Sequence, residues 1–309
     1  MESITKQYRM MLKLLNFLGF LRVSKLPYVK GVIYAYFSRK VNNIYNKGCS
    51  IKISDTIDLT YSIVSLTTYG ERTNKVHITL DSIFSQTIRP YKVMLWLSKE
   101  EYSKETIPFE LKKRLVDYPF FEIGFCDDLK PHKKYYEAML QNPNNNIITA
   151  DDDVFYPSNW LETLLKHHRL YPKFIICNNA HKMTIHHGTI GEYGSWKFLT
   201  QEIGPSLLLC PIGVGGVLYP PGSLNQDVFK KEVIVGACLN ADDLWLKIMG
   251  LLNGTKVVNT CKYSYTFLSI NGAKSTALSI SNVIDGGNDI QLRNILNIYK
   301  NQLSKILYE

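Results

Sequence analysis

From Tyr61 onward, short apolar runs alternate with segments whose apolar residues recur every three or four positions. Apolar runs of four to eight residues suit buried strands, and the three-to-four spacing suits helices with one apolar face. The pattern predicts strands over Ile63–Thr67, Lys92–Leu97, Phe121–Cys126, 147–150 and Lys173–Cys177. Between them it predicts helices over Thr73–Gln86, Pro108–Asp117, Lys133–Leu140 and Trp160–Leu170. Such alternation implies a mainly parallel sheet with crossover helices. After Asn178 it breaks down and glycines become frequent. Leu207–Cys210 and Val217–Tyr219 read as strands about a glycine turn. Ala241–Leu252 reads as a helix stopped at Asn253-Gly254, Lys256–Val258 as a last short strand, and Asp289–Leu307 as a terminal amphipathic helix. Residues 261–287 carry little periodic signal and read as an active-site loop.

The first 48 residues differ in charge. They hold nine Lys/Arg and one acid, a net +8 out of the chain's +9, so the rest of the chain is nearly neutral. That distribution argues against a broad nucleic-acid-binding face. Between Tyr8 and Leu21 the polar residues Arg9, Lys13 and Asn16 form a narrow stripe on an apolar helix, a run too short for a spanning helix of about 20 residues. No small-x-small cleavage site follows cleanly, which disfavours a signal peptide. Tyr28–Phe37 is aromatic and ends in Arg39-Lys40. Basic residues among Phe, Tyr and Leu suit an interfacial helix on an anionic membrane surface. Packing of these helices on the rest of the chain is the alternative. The six cysteines match no zinc or disulfide framework, which points to a reducing, cytoplasmic setting. With the basic helices, the expected place is the inner face of the membrane.

Chemistry concentrates where Ile147-Ile148-Thr149-Ala150 opens into Asp151-Asp152-Asp153. Along a strand, Asp151 and Asp153 leave on the same side, and two such carboxylates repel unless a cation lies between them. Oxygen ligands favour Mg²⁺ or Mn²⁺. An acidic solvated turn or helix N-terminus is the alternative. Thr67, Tyr69 and Arg72 follow the first strand. Tyr69 could stack on a base and Arg72 could fork onto phosphate, or the segment is an ordinary loop. Asp127 and Asp128 end the third strand and suit a base, a ribose or a surface turn. Lys133 or Lys134 could reach a diphosphate, or both are solvated. His181, His186 and His187 lack partners at zinc spacing, and a contact with an acceptor is the better use of one of them. Gly213, Gly215 and Gly216 lack a dinucleotide layout and suit close approach of backbone to a sugar ring. Trp196, Tyr193 and Trp245 suit sugar stacking or, most of all for Trp245, core packing.

With these pieces in order, the chain resembles a GT-A-fold glycosyltransferase of the family-2 type over roughly residues 60–262. Val64-Ser65-Leu66-Thr67-Thr68-Tyr69 is similar to that family's first strand and nucleotide loop. Asp151-Asp152-Asp153 is similar to its D-x-D metal motif, and Asn240-Ala241-Asp242-Asp243-Leu244-Trp245 to its later acidic motif. Pro131-His132-Lys133-Lys134 departs from the family pattern, and no histidine follows His187 to serve as a further ligand.

The resemblance implies a Rossmann-type α/β fold and an enzyme moving a hexosyl or N-acetylhexosaminyl group. The donor it implies is a nucleotide-diphosphate sugar, UDP-linked, and the acceptor a glycan or lipid-linked molecule. It implies Mn²⁺ or Mg²⁺ on Asp151 and Asp153. The donor would meet Thr67, Tyr69, Arg72, Asp127, Lys133, Asp151 and Asp152. Asp243 would be the base of an inverting transfer, with Asp242 as alternate. His181, Gly215, Gly216 and Trp245 would face the acceptor. The expected division is a basic helical segment over 1–58, a donor half over 59–179 and an acceptor half over 180–309. A nucleotidyltransferase or pyrophosphorylase-type metal enzyme, or a non-catalytic glycan-binding protein at a membrane surface, are the competing classes. The Asn/Lys/Ile-rich composition fits bacterial surface-polysaccharide synthesis.

Overall fold

The computed structural model describes residues 7, 8, 10, 11, 26–46, 51–261, 267–270 and 286–307. Most of the N-terminal stretch 1–25 and most of the expected loop 261–287 lie outside the described residues.

Seven strands form the central sheet: β1 (Ile63–Thr67), β2 (Lys92–Ser98), β3 (Phe121–Cys126), β4 (Ile147–Thr149), β5 (Ile175–Cys177), β6 (Val217–Tyr219) and β7 (Val257–Asn259). Their order is β7-β5-β6-β4-β1-β2-β3. All neighbours are parallel except β6, which runs antiparallel to both β4 and β5. The chain is therefore an α/β protein with a mainly parallel sheet flanked by helices.

The helices are α1 (Leu26–Asn46), α2 (Val76–Phe84), α3 (Phe109–Asp117), α4 (Lys133–Gln141), α5 (Trp160–Leu170), α6 (Lys231–Ala237), α7 (Asp242–Leu252) and α8 (Gly287–Leu307). Strand alternation sends side chains to two cores. Val64, Leu66 and Ile148 face one core with Leu80, Phe84, Trp160 and Leu164. Ile63 and Ile147 face the other side, with Met94, Trp96 and Ala138 of α4. A third core joins α7 and α8 through Trp245, Leu292 and Tyr299. Burial of these large side chains supplies most of the driving force.

One expected helix boundary moves. The helix expected over Thr73–Gln86 splits into a 3₁₀ turn, Gly70–Asn74, and α2. The two strands expected about a glycine turn form, as Leu209–Pro211 and Val217–Tyr219, and take different partners. The first pairs with Ala180–Lys182, and the second enters the main sheet. The intervening 3₁₀ turn, Gly213–Gly215, followed by Gly216 at φ +81°, redirects the chain between the two sheets. A β-carbon on Gly216 would lie 2.4 Å from the Trp160 ring. Trp160 Nε1 also donates to Gly215 O at 2.7 Å. The glycines thus let backbone lie against an indole, and the start of α5 fixes the 213–216 turn.

The N-terminal helix packs with one face. Phe37 and Val41 join Tyr8, Phe155 and Leu268, with Ile33 and Ile44 alongside. Asn42 Nδ2 donates to Ser269 O at 3.2 Å, and Ser269 N donates to Tyr34 Oη at 3.1 Å. The opposite face leaves Val29, Val32 and Tyr36 exposed.

Candidate functional site

Going outward from β1, the sheet adds β2 and β3 on one side and β4 on the other. This reversal is where open α/β sheets bind ligands, beyond the carboxyl ends of the strands. Both segments singled out in the sequence emerge there: Thr68–Arg72 from β1 and Asp151–Asp153 from β4. The backbone of the acidic triplet is clamped. Asp151 N donates to Tyr156 Oη at 2.9 Å, and Ile270 N donates to Asp153 O at 2.8 Å. Thr79 Oγ1 of α2 donates between Asp152 O at 2.8 Å and Val154 O at 3.0 Å.

Four of the five acids meet a cation of the chain itself, and Asp243 meets a backbone N–H. Arg72 Nη2 contacts Asp152 Oδ1 and lies 2.8 Å from Asp153 Oδ2. Its guanidinium sits over the Tyr69 ring at 5.4 Å, a cation–π distance. Lys134 Nζ lies 2.9 Å from Asp151 Oδ1 and 2.9 Å from Asp242 Oδ2. Gly213 N donates to Asp243 Oδ2 at 2.9 Å. Two acidic segments about 90 residues apart in sequence therefore converge on one lysine.

The charges are tuned by burial and by one another. Burial foremost, with Asp153 adding to it, pushes Asp152 up to about 7 against the pull of Arg72. Burial and then Asp242 push Asp243 up to about 7, opposed by Lys134 and the Gly213 N–H. Burial alone would lower Lys134, but Asp151, Asp242 and Asp243 hold its ammonium charged.

The set suits a hard divalent cation. Its donors are all carboxylate oxygens, the formal negative charges of the five acids outnumber the two cations, and Asp152 Oδ2 is buried with no hydrogen bond. It is not a finished cage: among the described residues no three His, Cys, Asp or Glu side chains converge as a metal site. Asp151 and Asp153 face different protein cations.

Other expected site residues stand elsewhere. Thr67 Oγ1 donates to Trp96 O at 2.8 Å, closing the end of β1. Asp127 is a surface link between Lys99 and Lys231, which hold its carboxyl down at about 2. Lys133 pairs with Asp128, and the neighbouring Lys134 is the lysine at the acidic cluster. One residue along a helix turns a side chain by about 100°, so the two lysines diverge. His181 is buried against Tyr193 and Phe198, its Nδ1 accepts from Leu199 N at 3.0 Å, and burial lowers it to about 4. Trp245 is 0 % exposed and donates to Val228 O at 3.1 Å, so it is core and cannot stack on a sugar. Trp196, also expected at a sugar, is buried as well. Gly215 and Gly216 accommodate Asn179 and Trp160, not a sugar ring. His187-Gly188 is the turn of a small hairpin with both φ positive.

Sequence reasoning gave Gly213 the sugar-facing use of its neighbours and did not show that its N–H holds Asp243. A β-carbon there would lie 2.8 Å from Asp243 Oδ1 and 3.0 Å from Lys134 Nζ. Its only sequence signal was membership of a glycine-rich run, which favoured its neighbours equally.

No family model and no curated protein matches the chain. Solved structures with some likeness include a 4-diphosphocytidyl-2C-methyl-D-erythritol synthase, at 10% identity and TM-score 0.36, covering 76% of this chain and 98% of that one. They also include GalNAc-T7 with UDP, GalNAc and Mn²⁺, at 10% identity and TM-score 0.44, covering 74% of this chain and 47% of that one. Likenesses this loose leave the chemistry to the residues themselves.

A pH test follows from Asp243. Its folded-state pKa, about 7, lies above its unfolded value. The folded chain then keeps a proton that the unfolded chain releases, and stability from this group falls as pH rises from about 4 through about 7. Asp243→Asn should match the wild type in melting temperature near pH 4 and exceed it by a margin that grows toward pH 8. A difference that does not grow between those pH values contradicts the assignment.

Proposed function

We propose that the chain is a glycosyltransferase that moves a sugar from a nucleotide-diphosphate donor, UDP-linked in this reading, to a hydroxyl of a glycan or lipid-linked acceptor, with inversion. The observation that carries the proposal is the meeting of the 151–153 and 242–243 acids around Lys134 at the switch point of the sheet. One segment is suited to the charge of a donor. The other sits across from it and is suited to the proton of an acceptor.

Asp151 and Asp153 are the residues that would hold Mn²⁺ or Mg²⁺. When bound, such an ion neutralises charge developing on the departing diphosphate. Arg72 is the nearest protein fork for phosphate, and a diphosphate at the end of β1 competes with Asp152 and Asp153 for it. Tyr69, already under the guanidinium, lines the same approach. In this reading residues 59–179 hold the donor and 180–309 the acceptor.

The base must take the acceptor O–H proton while that oxygen bonds the anomeric carbon and the nucleoside diphosphate leaves with the electron pair. Asp242 is committed to Lys134 and buried. Asp243 accepts one backbone hydrogen bond and is more exposed. A pKa near neutrality suits a base at physiological pH. Asp243 is therefore assigned the proton. Asp243→Asn should lower turnover by about 100-fold or more with little change in donor affinity, and NMR of the wild-type product should show the anomer opposite to the donor. Retained configuration overturns direct displacement. Release of pyrophosphate in place of nucleoside diphosphate favours a nucleotidyltransferase instead.

The proposal extends to place: the cytoplasmic, anionic face of a membrane, in surface polysaccharide or glycoconjugate synthesis. No helix among the described residues is long and apolar enough to cross a membrane. Support comes from α1, whose buried face is matched by an exposed stripe of Val29, Val32 and Tyr36, spaced i, i+3, i+7 and followed by Arg39 and Lys40. Val32→Glu/Tyr36→Glu should abolish flotation with phosphatidylglycerol vesicles at unchanged melting temperature. Equal flotation of both proteins contradicts the membrane role of α1.

A further inference from the structure

The segment Pro131-His132-Lys133-Lys134, which departs from the family pattern, is the segment that joins the two acidic motifs. His132 is fully buried. Its Nε2 lies 2.8 Å from Cys238 O and its Nδ1 3.0 Å from Tyr135 Oη. Tyr136 Oη donates to Phe229 O at 3.0 Å. The start of α4 is thereby fixed to the chain that leads into α7. Lys134, two residues after His132, extends this attachment into the site with a 7 % exposed side chain. Its ammonium meets Asp151 on the donor side and Asp242 on the acceptor side at equal distances of 2.9 Å. Gly213, whose N–H holds Asp243, leaves room for that ammonium, since a β-carbon there would crowd Nζ at 3.0 Å.

Taking the transferase reading as its basis, we propose that Lys134 is a positioning residue that ties the donor-side acid Asp151 to the acceptor-side acid Asp242 and so sets the distance between the two halves of the reaction. A buried ammonium between two carboxylates is held by both, and removing it leaves two like charges facing each other. The tie also shares Asp151 with any metal ion. A neutral side chain at 134 frees Asp151 for the ion while leaving Asp242 unrestrained. Metal affinity and turnover then move in opposite directions, which a general loss of structure does not produce.

The test uses the full chain with Mn²⁺ as the probe, its affinity read from the EPR signal of the free ion. Turnover is read as nucleoside diphosphate release from a panel of nucleotide sugars. Lys134→Met should bind Mn²⁺ more tightly by about tenfold, the scale of one charged contact. Its turnover number should fall by a similar or larger factor, with a smaller change in donor KM. Lys134→Arg should restore part of the turnover and return Mn²⁺ affinity toward the wild type. Lys134→Gln, which keeps a hydrogen bond in the same space, provides the same comparison if the methionine variant does not fold. Mn²⁺ affinity in the neutral variants that is weaker than or within twofold of the wild type overturns the tie, as does absence of Mn²⁺ binding in all proteins. A wild type that binds Mn²⁺ but releases nucleotide from no sugar donor refutes the transferase reading, and the tie is then decided by the affinities alone.

Discussion

Five carboxylates drawn together at the end of a sheet constitute the constraint on which the rest depends. Like charges removed from water repel and lose hydration, so such a cluster survives only with counter-charge and hydrogen bonds. Here Arg72 and Lys134 supply the charge. Thr79, Tyr156 and the Gly213 N–H supply the hydrogen bonds. The compensation is incomplete, which is why Asp152 and Asp243 are held near neutrality in pKa. An incompletely compensated acidic cluster costs stability and is poised to accept a cation or a proton.

The fold provides this arrangement through its one reversed strand. Parallel β1 and β4 deliver their following loops to the same edge of the sheet. Antiparallel β6 brings the chain away from that edge, so the turn preceding it, 213–216, lies there too. Trp160 fixes the turn from α5, and Gly213 passes that fixed position to Asp243. Residues far from any reaction thus determine where the second acid pair stands.

Much of this was legible in the sequence. β1, β3 and α5 occupy the residues their periodicity predicts, because each is bounded by abrupt changes of polarity or by proline and asparagine. The acidic triplet stood out in the sequence as a candidate because an apolar strand opens there into three consecutive carboxylates. What was not legible depended on tertiary partners. Lys133 and Lys134 are identical in type, and only the orientation of α4 separates a link to Asp128 from a link to Asp151. Trp245 and His181 resemble ligand-binding residues in composition, yet both close buried contacts. Gly215 and Gly216 were read as approach to a sugar, and the aromatic ring they approach belongs to Trp160.

The account turns on the acid cluster acting on a nucleotide-diphosphate sugar. The most direct measurement is nucleoside diphosphate release from a panel of nucleotide sugars, with Mn²⁺ and then with EDTA, for the wild type and Asp153→Asn. The account predicts release from one or a few sugar donors in the wild type, lost in EDTA and in the variant. Full release in EDTA, or equal release by Asp153→Asn, would contradict it.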